Sequence, residues 1–186
     1  MSTIIGLDLA GSPRRPTGYA IGRLANGNCR VFDYGVVYDD RSLLGILKMA
    51  KPRLVVVDSP LTFPRQGWFR RVDIAMKKLG YKVLPPMWKG MQMLVRRAIK
   101  IKSLLEEAGI YVLETHPRSA WLSSSCDSPI KAVKRVCENV PESPRSLKKD
   151  VVDALVALAV GVEYMRGNAV GVCEKDGCIY LLPKLC

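Results

Sequence analysis

The sequence lacks the features that would indicate a zinc site or a membrane protein. It contains a single histidine, and its six cysteines form no pair at CxxC spacing, which argues against zinc coordination. No uncharged apolar stretch approaches the ~20 residues needed to cross a bilayer. The amino-terminal residues show no secretory signal pattern. We therefore expect a cytoplasmic protein that does not insert into a membrane.

Length and composition favour one globular domain. The chain has 186 residues, of which 48% are hydrophobic and 7% are aromatic. This length can bury one full-sized core but is too short for two ordinary domains. We expect a single domain over residues 1–186.

Cys173 and Cys178 are compatible with two states, a cross-strand disulfide and a pair of free thiols. Cys173 and Cys178 flank a turn signal, and a two-residue loop at Lys175-Asp176 would place them opposite each other. A loop at Asp176-Gly177 would shift the register and separate them. Because intracellular disulfides are unusual outside hyperthermophiles, we expect free, buried thiols.

Positive charge is in clear excess. Lysine and arginine number 29 against 17 acidic residues, which gives a formal net charge of +12. This excess indicates a polyanionic partner, with nucleic acid (DNA or RNA) ahead of an anionic membrane, although a solvated, lysine-rich surface would give the same total. Arginine doublets favour the partner because each guanidinium can fork onto phosphate oxygens. The predicted nucleic-acid contacts are Arg14, Arg15, Arg70, Arg71, Arg96 and Arg97.

The order of predicted elements indicates an α/β fold. Strand patterns at residues 3–9, 19–24 and 30–38 open the chain, and Asn26-Gly27 is a strong hairpin signal that predicts an antiparallel meander. The later elements are strands at 54–57 and 110–114, helices at 42–50, 66–79, 91–108, 130–139 and 151–165, and a hairpin at 169–182. We predict a mixed five-stranded sheet whose first three strands are antiparallel, with helices on both faces and a C-terminal β-hairpin.

Four separated acidic residues stand out in this basic chain. Asp8, Asp58 and Glu114 each end an apolar, strand-like run, and Asp153 lies on the last predicted helix. Burying a carboxylate costs free energy, so a strand that ends in one presents it to water, a metal or a substrate at a sheet edge. Several carboxylates presented together form a site for a hard cation, and oxygen ligands select Mg²⁺ or Mn²⁺.

Such a cluster suits phosphodiester hydrolysis by two metal ions. We expect Asp8 to bridge both ions, Asp58 to hold one, and Asp153 to approach from its helix. Glu114 would bind metal or orient a water molecule. Asp150 precedes Asp153 by three residues and so lies on a similar helix face, where it is either a metal ligand or an acid that stabilises the helix dipole.

Two further residues have competing interpretations. His116 is either a proton shuttle or a hydrogen-bonded turn residue in its Thr-His-Pro loop. Asp73 follows two arginines, which favours an ion-paired helix residue over a member of the site.

Five segments together resemble a widespread family of uncharacterised, predicted nucleases with the ribonuclease H-like fold, which is distantly similar to Holliday-junction resolvases. The segments are Gly6–Ala10, Val57–Leu61, Arg71–Asp73, Leu113–Pro117 and Asp150–Leu155. The resemblance implies the fold, and by analogy a metal-dependent nuclease. The predicted helix at 42–50 carries no acidic residue, whereas well-studied ribonucleases H have one on the first helix. The resolvase-like arrangement is therefore the closer comparison.

Two other functions fit the same features. A non-catalytic nucleic-acid-binding module would bind in a salt-sensitive manner without cleaving. A small nucleotide-dependent phosphotransferase is suggested by Gly11-Ser12, which resembles the phosphate loop of the sugar kinases and actin-type ATPases. We expect nucleic acid as the partner and include a homodimer among the expectations.

Overall fold

A mixed sheet forms the centre of the protein. The computed structural model describes residues 1–12, 15–141 and 147–186. Its strands are β1 (Ser2–Asp8), β2 (Thr17–Ala25), β3 (Asn28–Val37), β4 (Leu54–Asp58), β5 (Tyr111–Thr115), β6 (Cys137–Glu138), β7 (Val170–Glu174) and β8 (Gly177–Leu181). Its helices are α1 (Asp40–Ala50), α2 (Arg71–Lys78), α3 (Lys89–Glu107), α4 (Pro117–Ser123), α5 (Pro129–Val136) and α6 (Lys149–Met165).

The predicted antiparallel meander is confirmed. β2 pairs antiparallel with both β1 and β3. Asn26 and Gly27 have φ values of 50° and 80°, and positive φ at both central residues is the requirement of the two-residue turn that matches strand twist.

The sheet has more strands than the five predicted. Among the described residues eight strands follow the order β6-β3-β2-β1-β4-β5-β8-β7. β4, β5 and β8 continue the sheet from β1 in parallel. The count rises because the C-terminal hairpin joins the sheet through β8 and because the two-residue β6 pairs with β3. Neither long-range pairing leaves a local sequence signal.

Helices cover both faces of the sheet, as predicted. α1 and α3 pack on one face, the α3 face, against Ile5, Leu7, Val55 and Val57. α6, with α2, α4 and α5, packs on the other, the α6 face, against side chains that include Ile4, Leu54 and Val56. None of the helices within the described residues combines the length and apolarity needed to cross a bilayer.

Helix α6 lies very close to β1 and β2. A Cβ at Gly6 would overlap the carbonyl oxygen of Ala154, and a Cβ at Gly18 would overlap that of Asp150. Glycine at these two positions therefore lets the first turns of α6 approach the ends of the two strands.

Two predicted helices are shorter in the structure, and one helix was not predicted. The helix expected at 66–79 begins at Arg71, because the Asp73 carboxylate accepts a hydrogen bond from the Arg70 N–H and caps the helix there. The helix expected at 130–139 ends at Val136, where the chain extends into β6. α4 begins at Pro117, a position in the first turn where proline costs no hydrogen bond.

The expectation of free thiols is wrong. All six cysteines lie in described residues and form the disulfides Cys29–Cys137, Cys126–Cys186 and Cys173–Cys178. Cys173 is the strand partner of Cys178, so the loop is Lys175-Asp176, the first of the two alternatives. The other two bridges join positions 108 and 60 residues apart, which only the fold brings together.

Candidate metal centre

Two of the predicted site residues lie side by side at the end of the sheet. β1 and β4 are parallel neighbours, and Asp8 is the register partner of Asp58. Side chains alternate between faces along a strand. Ile4 belongs to the α6 face, so Asp8, four residues on, points toward the same face. The same alternation from Leu54 places Asp58 there too. Both carboxylates therefore point toward α6.

The third carboxylate comes from α6. Asp8, Asp58 and Asp153 each contribute one carboxylate oxygen, and these three oxygens lie within 4.8 Å of one another. We call these residues the carboxylate triad. All three are partly buried. Asp153 forms an ion pair with Lys149 one turn earlier on the helix, and the lysine side chain is largely exposed.

Burial, and then mutual repulsion, disfavours the charged forms of Asp8 and Asp58. Burial, together with the charge of Asp153, raises the pKa of Asp8 to about 7. Burial and the charges of Asp8 and Asp153 raise the pKa of Asp58 well above its usual value. Burial would lower the pKa of Lys149, but its hydrogen bond and attraction to Asp153 outweigh burial and raise it. Within the described residues, Lys149 is the nearby cation that opposes the pKa rise of Asp8 and Asp58, and its charge does not offset that rise.

Asp150 is close to the carboxylate triad but is not part of it. Among the described residues, the group of carboxylate oxygens that lie within 4.8 Å of one another does not include an oxygen of Asp150. Its negative charge contributes to the raised pKa of Asp8, and it lies in the first turn of α6. These observations favour the role at the helix dipole over direct coordination.

Glu114 is near the carboxylate triad but is not a member of it. On β5 the register partner of Asp58 is Thr115, while Glu114 pairs with Val57. Glu114 is therefore one residue out of phase with Asp58 along the strands, although both residues line the same cleft. Its carboxylate is bound by Arg70, and the predicted role of Glu114 as a metal ligand is not supported. Burial raises its pKa, although the hydrogen bonds from Arg70 oppose that shift.

Arg70 is the centre of a buried ion cluster and is not a surface residue. Arg70 and Asp73 are each 1% exposed, and Glu114 is 6% exposed. The guanidinium donates from Nη1 to Glu114 Oε2 at 2.7 Å and from Nη2 to Glu114 Oε1 at 2.5 Å. It also donates from Nη2 to Asp73 Oδ1 at 2.7 Å. Direct contact between Arg70 and nucleic acid is therefore excluded, and the ion-paired interpretation of Asp73 is confirmed.

The other predicted arginine contacts divide into exposed and engaged residues. Arg15, Arg71 and Arg96 are exposed. Arg97 is largely buried, where it pairs with Asp40 and donates to the carbonyl oxygen of Ala10. Arg14 lies outside the described residues. Charge spacing in the sequence could not separate these cases, because a guanidinium pairs equally well with a carboxylate or a phosphate.

A cleft opens over Asp8 and Asp58. It has a volume of about 200 Å³ and is lined by Asp8, Asp58, Arg70, Glu114 and His116, among others. A groove of about 530 Å³ lies on the other side of Asp58 and His116 and reaches Asp153 and Lys149. The carboxylates are therefore open to a ligand from two directions.

His116 lies where these two openings meet. Its Nδ1 is 2.6 Å from the Ser119 hydroxyl oxygen. Burial lowers its pKa, so the ring is neutral at neutral pH. The hydrogen bond to Ser119 supports the interpretation of His116 as a turn residue. A proton shuttle would have to use the other ring nitrogen, Nε2.

Sequence reasoning missed two contributors to this site. Lys149 precedes Asp153 by one helical turn, and that spacing is a usable signal for an ion pair. The pairing of Arg70 with Glu114 spans 44 residues and has no local signal.

Comparison with known proteins identifies the fold. No protein-family model and no curated protein sequence matches the chain. Thermus thermophilus RuvC in complex with a Holliday junction substrate is similar in structure, with a TM-score of 0.54 and 17% identity, covering 90% of this chain and 97% of that one. A second T. thermophilus RuvC structure gives a TM-score of 0.54 and 14% identity, with coverages of 89% and 96%.

A third structure, the Fowlpox virus resolvase with Holliday junction DNA, has 15% identity and a TM-score of 0.48 over 88% of this chain and 98% of that one. At such identities the RuvC structures show the fold alone. The ribonuclease H-like fold and the distant similarity to resolvases are confirmed.

Proposed function

We propose that this protein is a metal-dependent nuclease that hydrolyses phosphodiester bonds in DNA or RNA. The observation that carries the proposal is the carboxylate triad, whose three oxygens lie within 4.8 Å of one another, with Asp8 and Asp58 lining an open cleft. Burying mutually repelling acids costs free energy. A function that requires a concentrated negative charge accounts for that cost.

The residues present fit a hard divalent cation. The triad offers only oxygen donors, which suit Mg²⁺ or Mn²⁺. The raised pKa of Asp8 indicates that its negative charge is under-compensated, and a bound cation would relieve the repulsion. When bound, two such ions supply an activated water and stabilise the leaving oxygen.

The residues of the chain hold and orient these ions. Asp8 lies at the end of the central strand β1, and it is the residue that we expect to bridge the ions. Asp58 and Asp153 would each hold an ion; both residues line the groove that reaches Lys149, and Asp58 also lines the cleft. His116 borders both openings and could exchange a proton there.

Charge supports a nucleic-acid substrate. The net charge of +12 favours association with a polyanion. The exposed Arg15, Arg71 and Arg96 are the remaining candidates for phosphate contacts among the predicted arginines in described residues. Because the similar RuvC structure contains a Holliday junction substrate, a four-way junction belongs among the substrates tested.

The test is cleavage of single strands, duplexes, RNA–DNA hybrids and four-way junctions with Mg²⁺ or Mn²⁺. Asp8→Asn removes the bridging ligand, and Asp127→Asn, at an exposed ion pair with Lys131, serves as the control. We expect cleavage by the wild type and the control and none by Asp8→Asn. If none of the three proteins cleaves any substrate but all bind nucleic acid in a salt-sensitive manner, the result would instead support the non-catalytic binding module.

A further inference from the structure

The ion cluster of Arg70, Asp73 and Glu114 lies beside the carboxylate triad. All three of its residues line the same cleft as Asp8 and Asp58. Each is at least nine-tenths buried. Removing charged groups from water is costly even when they are paired, and an apolar cluster of the same volume often stabilises a fold as well or better. Stability alone is therefore a weak explanation for this cluster.

The contacts of Glu114 lead directly to the chain that follows Asp58. Glu114 Oε2 accepts a hydrogen bond of 2.9 Å from the Leu61 N–H. Leu61 ends the short segment Ser59–Leu61, which begins immediately after the triad residue Asp58 and also lines the cleft with Ser59 and Pro60. The carboxylate of Glu114 thus holds one end of this segment, and β4 holds the other.

Arg70 fixes Glu114 in turn. Two parallel hydrogen bonds from the guanidinium set both the position and the plane of the Glu114 carboxylate. Arg70 is itself held by Asp73, through Nε at 3.1 Å and Nη2 at 2.7 Å. The start of α2 is anchored separately, since the Asp176 carboxylate accepts hydrogen bonds from the Arg71 and Val72 N–H groups.

We propose that Arg70 and Glu114 are positioning residues of the metal centre, which hold the Ser59–Leu61 segment and thereby fix the Asp58 carboxylate against Asp8. This inference rests on the proposed function. Partners that orient metal ligands typically change metal affinity by about 10- to 100-fold when they are lost. Arg70 also neutralises Glu114, which keeps a fourth carboxylate from adding its full charge to the triad.

A matched pair of ion-pair residues separates positioning from simple stabilisation. Arg166 donates from Nη1 to Glu163 Oε1 at 2.6 Å, and the Glu163 side chain is 4% exposed. This ion pair lies at the C-terminal end of α6, where Glu163 is about 15 Å along the helix from Asp153. Breaking it should destabilise the protein without affecting the triad.

The variants are Arg70→Lys, which keeps the positive charge but cannot form the two parallel hydrogen bonds, and Glu114→Gln, which keeps the side-chain shape but loses the negative charge. Arg166→Lys and Glu163→Gln are the controls. Mn²⁺ affinity is measured by titration with electron paramagnetic resonance of the free ion, at a temperature where thermal unfolding shows each protein to be folded. Glu114→Gln carries the test if Arg70→Lys does not fold.

We expect Arg70→Lys and Glu114→Gln to weaken Mn²⁺ binding about tenfold, while the controls stay within about twofold of the wild type although they too lose stability. The inference is overturned if the first two variants bind Mn²⁺ as the wild type does, or if the controls weaken binding equally. Absence of Mn²⁺ binding by the wild type would remove the metal centre and this inference together. Binding that is lost only in Asp8→Asn would refute the positioning role alone.

Discussion

Replacing Asp8 by asparagine should make the metal-free protein more stable. The pKa of Asp8 rises from 3.8 to about 7, chiefly because of burial and then because of the charge of Asp153. Such a rise corresponds to about 4 kcal/mol of destabilisation of the charged form. Solvent still reaches part of the side chain, so we discount this value to about 2 kcal/mol gained on removing the charge.

The effect has a defined dependence on pH. In the folded protein Asp8 keeps its proton up to pH of about 7, whereas in the unfolded chain it loses the proton near its ordinary pKa of 3.8. The folded state therefore binds more protons in this window, and wild-type stability falls as pH rises through it. An asparagine side chain does not titrate, so the advantage of Asp8→Asn should be near zero at low pH and complete above pH of about 8.

Thermal unfolding in EDTA at pH 5 and pH 8 checks this reasoning. A gain of about 2 kcal/mol raises the Tm of a protein of this size by about 4 to 8 °C. Added Mn²⁺ should then raise the Tm of the wild type but not that of Asp8→Asn. Asp127→Asn is the control, because hydrogen bonding to Lys131 lowers the pKa of Asp127 and its loss should give no gain. A Tm of Asp8→Asn equal to or below that of the wild type at pH 8 would refute the argument.

Three other expected outcomes concern the site and the fold. Mn²⁺ affinity should fall about tenfold from pH 8 to pH 6, because the metal must displace the proton of the Asp8 carboxyl, whose pKa is about 7. Isothermal titration at both pH values measures the affinity, and a pH-independent affinity would contradict this expectation. Gly6→Ala should cost about 3 kcal/mol in urea unfolding, since its Cβ would displace the backbone of α6. Gly45→Ala, at an exposed helix position with open space around it, is the control and should stabilise the protein by about 1 kcal/mol. Similar changes in stability from Gly6→Ala and Gly45→Ala would count against the packing argument. Replacing Cys29 and Cys137 together by alanine should cost about 2 to 5 kcal/mol, and thiol reactivity of the unreduced wild type would show that the bridge is absent.

Local sequence patterns predicted those features of the fold that depend on interactions between residues close in sequence. The alternation and length of apolar runs predicted β1, β4 and β5. The Asn26-Gly27 turn was predicted because both residues tolerate positive φ, and the structure shows that conformation. The placement of Asp8 and Asp58 at strand ends also followed from the sequence, since each acid directly ends a buried run. That they share a register level required only that their strands be parallel neighbours.

The sequence by itself thus determined most of the element types, the hairpin and the strand-end positions of the acids, because these depend on neighbours within a few residues. Only the tertiary structure decided which acids converge. Asp153 joins Asp8 and Asp58 because two glycines let α6 approach the sheet. Glu114 stays outside the carboxylate triad because its strand register sets it one residue out of phase with Asp58. Arg70 became a buried partner of Glu114, and six cysteines became three bridges. In each case the deciding contact joins distant parts of the chain or depends on register between strands, so short-range pattern and composition carry no record of it.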